Sequence, residues 1–263
     1  MKRIISRCVV LAVGAAAFSA QASASAPLIH AHAHNDYLHA RPLAEALEHG
    51  FWSVEADVWL TNGVLLVAHD FDKTSADKTL QKLYLNPLRT FVRTNPVVRG
   101  APPITLLIDV KSEAETTYAA LRDVLKNYAD ILTRFESNRI QTNAVIAIIS
   151  GARAQATMRD EAVRFAALDG RLLDLDQNPI VALVPLISDT WTKMFKWRGN
   201  GPMPEEERAK LRELVQRTHA QGRRLRLWAA PDNPTGWKEL NEAGVDLLNT
   251  DHLAELETFL KGR

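Results

Sequence analysis

The chain has 263 residues, of which 46% are hydrophobic and 24% are charged. This balance is typical of a globular protein with one or two domains, and it excludes a largely disordered chain or a fibre. The formal net charge is +1, from 32 basic and 31 acidic residues. No run of Lys and Arg is long enough to indicate nucleic-acid binding.

Residues 1–26 have the composition of a secretory signal segment. A basic start precedes a short apolar run, and residues 20–24 offer two small-x-small cleavage sites. The apolar run is shorter than the roughly 20 residues that a membrane-spanning helix needs. Cys8, the only cysteine, lies in this segment, so a cleaved product would use neither a disulfide nor a thiolate. We therefore expect a periplasmic or secreted protein whose single folded domain spans 27–263.

Short apolar or alternating segments recur along the rest of the chain, with helical patterns between several of them. Proline or acidic residues at the start and glycine just past the end indicate helices over 41–49, 204–221 and 235–243. Eight strands that alternate with helices favour a single (β/α)8 TIM barrel. An open doubly wound sheet is disfavoured, because the Gly-rich phosphate loop after its first strand is absent. The predicted strands are 28–33, 53–60, 104–110, 144–149, 163–168, 181–187, 225–229 and 245–249.

The second predicted strand carries a pair of carboxylates near its end. Alternate residues of a strand share a face, so Glu55 and Asp57 point into the barrel while their apolar neighbours pack outward. Two buried carboxylates need a positive partner, and Ca²⁺ or Mg²⁺ is the simplest one because both prefer carboxylate oxygens. Asp109, at the end of the third strand, can supply a third ligand, and Lys111 can hold a phosphate or balance the acids, with a capped strand end as the alternative for this pair. A set of salt-bridged structural acids is the alternative.

Histidines flank these acids along the chain. His30, His32 and His34 share one face of the first strand. His34 lies nearest the barrel mouth, whereas His30 is expected to lie deepest, as a hydrogen-bonded core residue. The turn signal at 61–63 predicts a small hairpin after strand two that returns His69 beside the acids. Histidine suits general acid and base catalysis near neutral pH, so His34 and His69 are the candidate catalytic residues. A surface or loop position is the alternative for each.

The order of these residues resembles the glycerophosphodiester phosphodiesterase and phosphatidylinositol phospholipase C-like superfamily. The longer string His32-Ala33-His34-Asn35-Asp36-Tyr37 is similar to a bacterial subgroup that has relatives among fungal proteins named for altered inheritance of mitochondria. The resemblance rests on His34-Asn35-Asp36, Ser53-Val54-Glu55-Ala56-Asp57-Val58, Thr61-Asn62-Gly63, His69-Asp70, Asp109-Val110-Lys111, Trp228 and Asn249-Thr250-Asp251.

This resemblance implies a TIM-barrel phosphodiesterase. The residues that match Glu55, Asp57 and Asp109 would bind Ca²⁺ or Mg²⁺, and those that match His34 and His69 would act as base and acid. A substrate hydroxyl next to the phosphate would attack first, and water would then open the resulting cyclic phosphodiester. The expected partner is a small-molecule or lipid phosphodiester, with transient membrane-surface contact for a lipid, no nucleic acid and no obligate protein partner.

The sequence departs from the superfamily pattern at strand one, where the diesterases carry His-Arg-Gly. Here Asn35 follows His34, so the arginine that would bind phosphate is missing, and Lys111 and Arg153 are the candidates to replace it. Asn35, Lys111 and Trp228 are the candidate substrate-binding residues, with barrel closure as the alternative for Trp228.

Two further segments have open interpretations. The aromatic segment 191–198 is either an apolar lip for a lipid or ordinary packing, and packing is favoured. Asp251 and His252 are expected to cap the last helix rather than to contact substrate.

Two other functions stay open. A zinc amidohydrolase-type hydrolase also uses His-x-His at strand one, but it needs further histidines at later strand ends. A non-catalytic ligand-binding barrel has no need for two histidines beside three acids. Metal content distinguishes these alternatives from a Ca²⁺- or Mg²⁺-dependent phosphodiesterase.

Overall fold

The computed structural model of the chain describes residues 26–137 and 139–262. The predicted signal segment lies outside these residues except for Ala26, so its cleavage stays a prediction. The described strands are β1 (Leu28–Ala33), β2 (Phe51–Thr61), β3 (Val64–Val67), β4 (Ile104–Val110), β5 (Arg134–Glu136), β6 (Arg139–Gln141), β7 (Val145–Gly151), β8 (Val163–Arg164), β9 (Ala167–Gly170), β10 (Leu186–Thr190), β11 (Arg224–Trp228) and β12 (Leu248–Thr250).

Eight parallel strands form a nearly closed barrel, in the order β11-β10-β9-β7-β4-β2-β1-β12. The isolated parallel bridge between Arg226 and Leu247 closes the ring between β11 and β12. The predicted TIM barrel is confirmed. The outward side chains of β2 are fully buried against the surrounding helices, as the alternation in its sequence predicts.

The predicted hairpin after the second barrel strand is also confirmed. β3 pairs antiparallel with the end of β2, from Val58 opposite Val67 to Thr61 opposite Val64. Asn62 and Gly63 adopt φ values of 50° and 77°, which a two-residue hairpin turn requires and which Asn and Gly tolerate. The hairpin therefore returns the chain to the barrel mouth at His69.

Helices surround the barrel. The predicted first helix is shorter than expected, since its regular part begins only after Leu43, which has a φ of 62°. The other two predicted helices are confirmed within one residue at each end. The helices are α1 (Ala44–Glu48), α2 (Asn86–Thr94), α3 (Ala114–Lys126), α4 (Gln155–Asp160), α5 (Asp174–Gln177), α6 (Trp191–Met194), α7 (Glu205–Ala220), α8 (Pro234–Ala243) and α9 (Leu253–Leu260).

The fifth, sixth and eighth strands differ from the prediction, and the eighth, predicted at 245–249, shares only Leu248 and Asn249 with β12. The predicted segment 163–168 divides between β8, which belongs to a small antiparallel sheet with β5 and β6, and β9 in the barrel wall. The predicted strand 181–187 overlaps β10 only at its last two residues. The apolar residues Ala182–Val184 are buried in a turn before the strand, while β10 itself ends in Ser188, Asp189 and Thr190.

A large apolar cluster fills the space between barrel and helices, and a smaller one lies inside the barrel. The inner cluster consists of Leu107, Ile148, Leu186 and Leu247. Each of them lies two residues before a polar residue near the carboxyl end of a barrel strand. The aromatic segment after β10 is buried, and Trp191 stacks on Phe195 with ring centroids 4.1 Å apart. This segment therefore packs over the barrel, as favoured above. Within the described ranges, no helix is long and apolar enough to cross a bilayer.

Candidate active site

Three carboxylates converge at the mouth of the barrel. Glu55 and Asp57 lie on β2, and Asp57 is in register with Asp109 on the neighbouring β4. One carboxylate oxygen from each residue lies within 4.8 Å of the other two. Glu55 and Asp57 are buried, and Asp109 is partly buried. The structure thus brings together the three residues that the sequence predicts as metal ligands.

Two cationic side chains compensate part of this negative charge. Arg226 Nη2 donates to Glu55 Oε2 at 2.9 Å. Lys111 Nζ lies 3.1 Å from Asp57 Oδ2 and also donates to Asp109 Oδ2. Burial raises the pKa of Glu55, but the charge of Arg226, the hydrogen bond from His32 and the charges of the neighbouring histidines together outweigh burial, and the net pKa is well below the ordinary value. The pKa of Asp57 is raised, mainly by burial.

The acidic cluster fits a hard divalent cation. Asp57 Oδ1 is buried and has no hydrogen-bond partner among the described residues. A buried carboxylate oxygen without a partner is costly, and a cation held by the three carboxylates removes that cost. The donor set is entirely oxygen, which favours Ca²⁺ or Mg²⁺ over zinc.

His32 takes part in internal hydrogen bonds rather than in a zinc site. It is fully buried, with Nδ1 2.7 Å from Ser53 Oγ and Nε2 3.4 Å from Glu55 Oε2. Burial, helped by the charge of Arg226, lowers the pKa of His32 to about 4. The prediction that His30 is the core histidine is wrong: His30 is exposed at the opposite end of β1, where its Nδ1 lies 3.0 Å from the Asp246 carbonyl oxygen.

His34 follows β1 directly and lies at the edge of the cavity. Its Nδ1 is 2.9 Å from Asp251 Oδ1 and 2.9 Å from Asn35 Nδ2, and its Nε2 is 4.0 Å from Glu55 Oε2. Burial lowers the pKa of His34, but its hydrogen bond to Asp251 and the charges of Glu55 and Asp251 together outweigh burial and raise the pKa overall. Asp251 therefore holds His34 instead of capping the last helix, whose N-cap residue is His252.

His69 reaches the same cavity from the hairpin. Its Nδ1 lies 3.0 Å from Asp57 Oδ2, and 56% of its side chain is exposed. Each candidate catalytic histidine thus has its Nδ1 beside a carboxylate, Asp251 for His34 and Asp57 for His69. A carboxylate at Nδ1 orients the ring and leaves Nε2 available for a substrate.

The cavity has a volume of about 340 Å³, and its lining includes the candidate catalytic, metal-binding and substrate-binding residues named from the sequence, except Arg153. Trp228 stands at its rim with 39% of its surface exposed. The residues that line it are His34, Asn35, Glu55, Asp57, His69, Asp109, Lys111, Ser150, Gly151, Arg171, Arg226 and Trp228.

Sequence reasoning missed the part of the cavity built on β7 and β9. Arg171 Nη1 donates to Asp169 Oδ2 at 2.9 Å, and Asp169 also accepts a hydrogen bond from Ser150 Oγ at 2.7 Å. Arg153, named above as a phosphate ligand, instead donates to the Asp169 carbonyl oxygen and does not line the cavity. The i, i+2 spacing of Asp169 and Arg171 at a strand end, the same as that of Glu55 and Asp57, is the signal that could have revealed Arg171.

Solved structures show the same fold. A glycerophosphodiester phosphodiesterase from Parabacteroides distasonis superposes with a TM-score of 0.58 and 18% identity, covering 89% of this chain and 97% of that one. A calcium-dependent phosphoinositol-specific phospholipase C from Pseudomonas sp. also has a TM-score of 0.58, with 13% identity and coverage of 89% and 93%. At this identity the likeness concerns the fold.

The curated relatives are fungal. Altered inheritance of mitochondria protein 6 from Lachancea thermotolerans is 31% identical over 86% of this chain and 64% of its own length. The protein of the same name from Saccharomyces cerevisiae is 29% identical over 84% of this chain and 68% of its own. The chain thus spans about two thirds of these relatives. The expectation of a periplasmic or secreted location is wrong, since these relatives are fungal proteins whose name refers to the inheritance of mitochondria.

Two protein families match separate parts of the chain. The glycerophosphoryl diester phosphodiesterase family matches residues 224–254, which contain Arg226, Trp228 and Asp251. The AIM6-like phosphodiesterase domain matches residues 20–168, more than half of the 263 residues, including both candidate catalytic histidines and the three acids. These matches and the barrel place the chain in the glycerophosphodiester phosphodiesterase-like superfamily, and within it the chain belongs to the AIM6-like phosphodiesterase domain family.

Proposed function

We propose that the protein is a divalent-cation-dependent phosphodiesterase that hydrolyses a glycerophosphodiester or a phospholipid-type phosphodiester. The observation that carries this proposal is the placement of His34 and His69 in one cavity with the carboxylates Glu55, Asp57 and Asp109. Two histidines beside an oxygen-ligand cation site suit the transfer of protons at a phosphodiester. The family to which the chain belongs supports the same reaction class.

The three carboxylates would hold Ca²⁺ or Mg²⁺. When bound, this cation would polarise the phosphoryl oxygens and lower the pKa of an attacking hydroxyl. Lys111, which here neutralises Asp57 and Asp109, would turn its ammonium group to a phosphate oxygen. Asn35 would donate to the substrate from its side-chain amide, and Trp228 would contact the leaving group at the rim.

The two histidines would divide the proton transfers. One Nε2 would accept the proton of the attacking hydroxyl, and the other would donate a proton to the oxygen of the leaving alcohol. For a substrate with a hydroxyl next to the phosphate, the first step forms a cyclic phosphodiester and releases the alcohol. Water then opens the cycle while the histidines exchange roles, so that each returns to its starting protonation state.

Cation titration tests the metal part of the proposal. Calorimetry of the metal-free protein should detect Ca²⁺ or Mg²⁺ binding, which weakens at least about tenfold in Glu55→Gln and Asp57→Asn because ligand charge sets affinity. Glu242→Gln, which removes an exposed carboxylate on α8, is the matched control and should bind like the wild type. Unchanged binding in both site variants, or binding of zinc alone, would contradict the metal assignment.

A substrate panel tests the reaction. Glycerophosphodiesters, phosphatidylinositol, lysophospholipids and bis-nitrophenyl phosphate should include at least one compound whose hydrolysis depends on His34, on His69 and on the cation. A lipid substrate would require transient contact with a membrane surface, measurable as higher turnover on vesicles than on dispersed lipid. If the variants that lack His34 and His69 both keep the wild-type turnover, the catalytic assignment is contradicted.

We propose that the string His32-Ala33-His34-Asn35-Asp36-Tyr37 is a signature of a bacterial subgroup of the superfamily. Its recurrence in bacterial chains that share the cavity residues would support this grouping, and its restriction to fungal chains would contradict it.

A further inference from the structure

The segment after β1 places a buried tyrosine between the two candidate catalytic histidines. Asn35 adopts the left-handed conformation, with φ 49° and ψ 33°, and the chain then turns through the short 3₁₀ segment Asp36–Leu38. This turn carries Tyr37 back toward β2, where it is 7% exposed. Tyr37 does not line the cavity, so its hydroxyl acts on cavity residues rather than on substrate.

The Tyr37 hydroxyl has three polar neighbours. Its oxygen lies 2.7 Å from Asp57 Oδ2, 2.7 Å from Asn35 Oδ1 and 3.1 Å from His69 Nδ1. A phenol hydroxyl has one hydrogen and two lone pairs, so it can donate to an oxygen and accept from His69 Nδ1 at the same time. The unperturbed pKa of a phenol is about 10, so the hydroxyl carries its hydrogen at neutral pH.

A second hydrogen-bond acceptor for His69 Nδ1 matters because Asp57 both contacts His69 and belongs to the proposed cation site. Asp57 Oδ2 lies 3.0 Å from His69 Nδ1, and the same carboxylate belongs to the proposed cation site. A carboxylate that shares its charge with a cation is a weaker hydrogen-bond acceptor. The neutral Tyr37 oxygen lies outside the cluster of three carboxylates, so its contact with Nδ1 would not compete with a cation bound there.

We propose that Tyr37 is a positioning residue that keeps the proton of neutral His69 on Nδ1 and presents Nε2 to the substrate. Asn35 links the same turn to the other histidine, since its Oδ1 lies 2.7 Å from the Tyr37 hydroxyl oxygen and its Nδ2 donates to Asp251 Oδ1, the carboxylate oxygen beside His34 Nδ1. The expected effect of Tyr37 on turnover rests on the proposed function, whereas the expected position of the His69 proton does not.

A kinetic double-mutant cycle tests the role of Tyr37. Tyr37→Phe removes only the hydroxyl and should lower kcat about 10–100-fold, with little change in KM or in cation affinity. In the His69→Ala background the same substitution should cause no further loss of kcat, because the imidazole ring that Tyr37 positions is absent. The matched control is Tyr128→Phe, which also removes a buried hydroxyl, one bonded to Asn86 outside the cavity, and should leave kcat unchanged.

Nitrogen-15 NMR of the histidine rings tests the same inference without turnover. Neutral His69 should carry its proton on Nδ1 in the wild type, with and without Ca²⁺, and should shift toward the Nε2-protonated tautomer in Tyr37→Phe with Ca²⁺ present. Tyr128→Phe should give the wild-type signals. Should Tyr37→Phe fail to fold, the wild-type spectrum alone decides, and an Nε2-protonated His69 would overturn the inference.

The outcomes separate this inference from the proposed function. An equal loss of kcat from Tyr37→Phe in both backgrounds, or no loss in an active enzyme, overturns the inference and leaves the phosphodiesterase in place. Absence of phosphodiesterase activity from the wild type overturns the function, while the NMR measurement still decides the role of Tyr37.

Discussion

Arg226 on β11 reaches across the barrel interior to Glu55 on β2. Its Nη2 lies 2.9 Å from Glu55 Oε2, and its Nε donates to Asn249 Oδ1 at 2.7 Å. Both side chains are almost entirely buried, at 4% and 8% exposure. The guanidinium therefore keeps Glu55 ionised in a position where a lone carboxylate would lose its charge, and a cation ligand must be ionised.

Removal of Arg226 should be costly. Arg226→Met leaves the buried carboxylate of Glu55 without its main partner, which typically costs about 3–5 kcal/mol of unfolding free energy. Arg224→Met is the control, because the Arg224 guanidinium donates to the Thr105 hydroxyl rather than to a carboxylate. Urea denaturation measures both variants. Equal losses of unfolding free energy in the two variants would show that the ion pair with Glu55 contributes no more to stability than the contacts of Arg224.

Substitution of the cavity histidines should affect turnover far more than stability. His34→Ala and His69→Ala should each lower kcat about 10²–10⁴-fold, the usual contribution of general acid or base catalysis. The double variant should lose less than the product of the two losses, because the residues act as a unit. A nitrophenyl ester needs little protonation of its leaving group, so it should partly rescue the variant that lacks the acid but not the one that lacks the base.

His30→Ala is the control for this series. His30 is exposed in the N-terminal half of β1 and does not line the cavity, so its removal should leave kcat at the wild-type value. A loss of turnover in His30→Ala comparable to that in His34→Ala would argue against specific roles for the cavity histidines.

Gly151 allows β7 to approach the acidic cluster. It has φ +65°, and a Cβ there would lie 2.3 Å from the Val110 carbonyl oxygen and 2.5 Å from Asp109 Oδ1. Gly151→Ala should therefore displace Asp109 and weaken cation binding, with a stability loss of about 1–3 kcal/mol. Gly63→Ala has a similar φ of +77° but open space around the added methyl group, so it should show the backbone strain alone and bind the cation normally.

Asp36 should make stability depend on pH in the unusual direction. Burial raises its pKa from 3.8 to about 6, although Leu43 N and Tyr84 Oη donate to its carboxylate. The folded state thus binds this proton more tightly than the unfolded chain. The resulting contribution to stability, about 3 kcal/mol for two pKa units, is fully present below about pH 4 and is lost as the pH rises through about 6.

Asp36→Asn should remove this dependence, because the amide imitates the protonated acid and can still accept from Tyr84. Unfolding free energies at pH 4.5 and 7.5 measure it, and the variant should be more stable than the wild type at the higher pH. A parallel pH dependence in the two proteins would assign it to other groups.

The sequence predicts the barrel well where a strand is an apolar or alternating segment. Residues 28–33 and 104–110 are predicted without error, since β1 and β4 are bounded by loops on both sides. The sixth strand is misplaced because the second half of β10 is polar: Ser188 faces the barrel interior and donates to Asp169 Oδ1, Asp189 follows it on the opposite face, and the apolar residues before the strand are buried in a turn. Hydrophobic periodicity cannot distinguish those two forms of burial.

The candidate site shows the same division. Residues at i, i+2 spacing on one strand, such as Glu55 and Asp57, are predictable because the strand alone determines their common face. The contacts of Asp251 with His34 and of Tyr37 with His69 join residues that are 217 and 32 positions apart. Those contacts depend on barrel closure and on a left-handed turn, which local patterns do not specify.

The barrel does not close with equal strength around its circumference. β4 and β7 pair over seven residues, from Ile104 opposite Val145 to Val110 opposite Gly151, whereas β11 and β12 meet through the isolated bridge of Arg226 and Leu247. At this seam, side-chain hydrogen bonds such as that of Arg226 with Asn249 help to hold the two strands together. Elsewhere in the barrel, a ladder of backbone hydrogen bonds joins neighbouring strands. The amides of β11 and β12 should consequently exchange hydrogen for deuterium sooner than those of β4 and β7, and the seam is where native-state opening of the barrel begins.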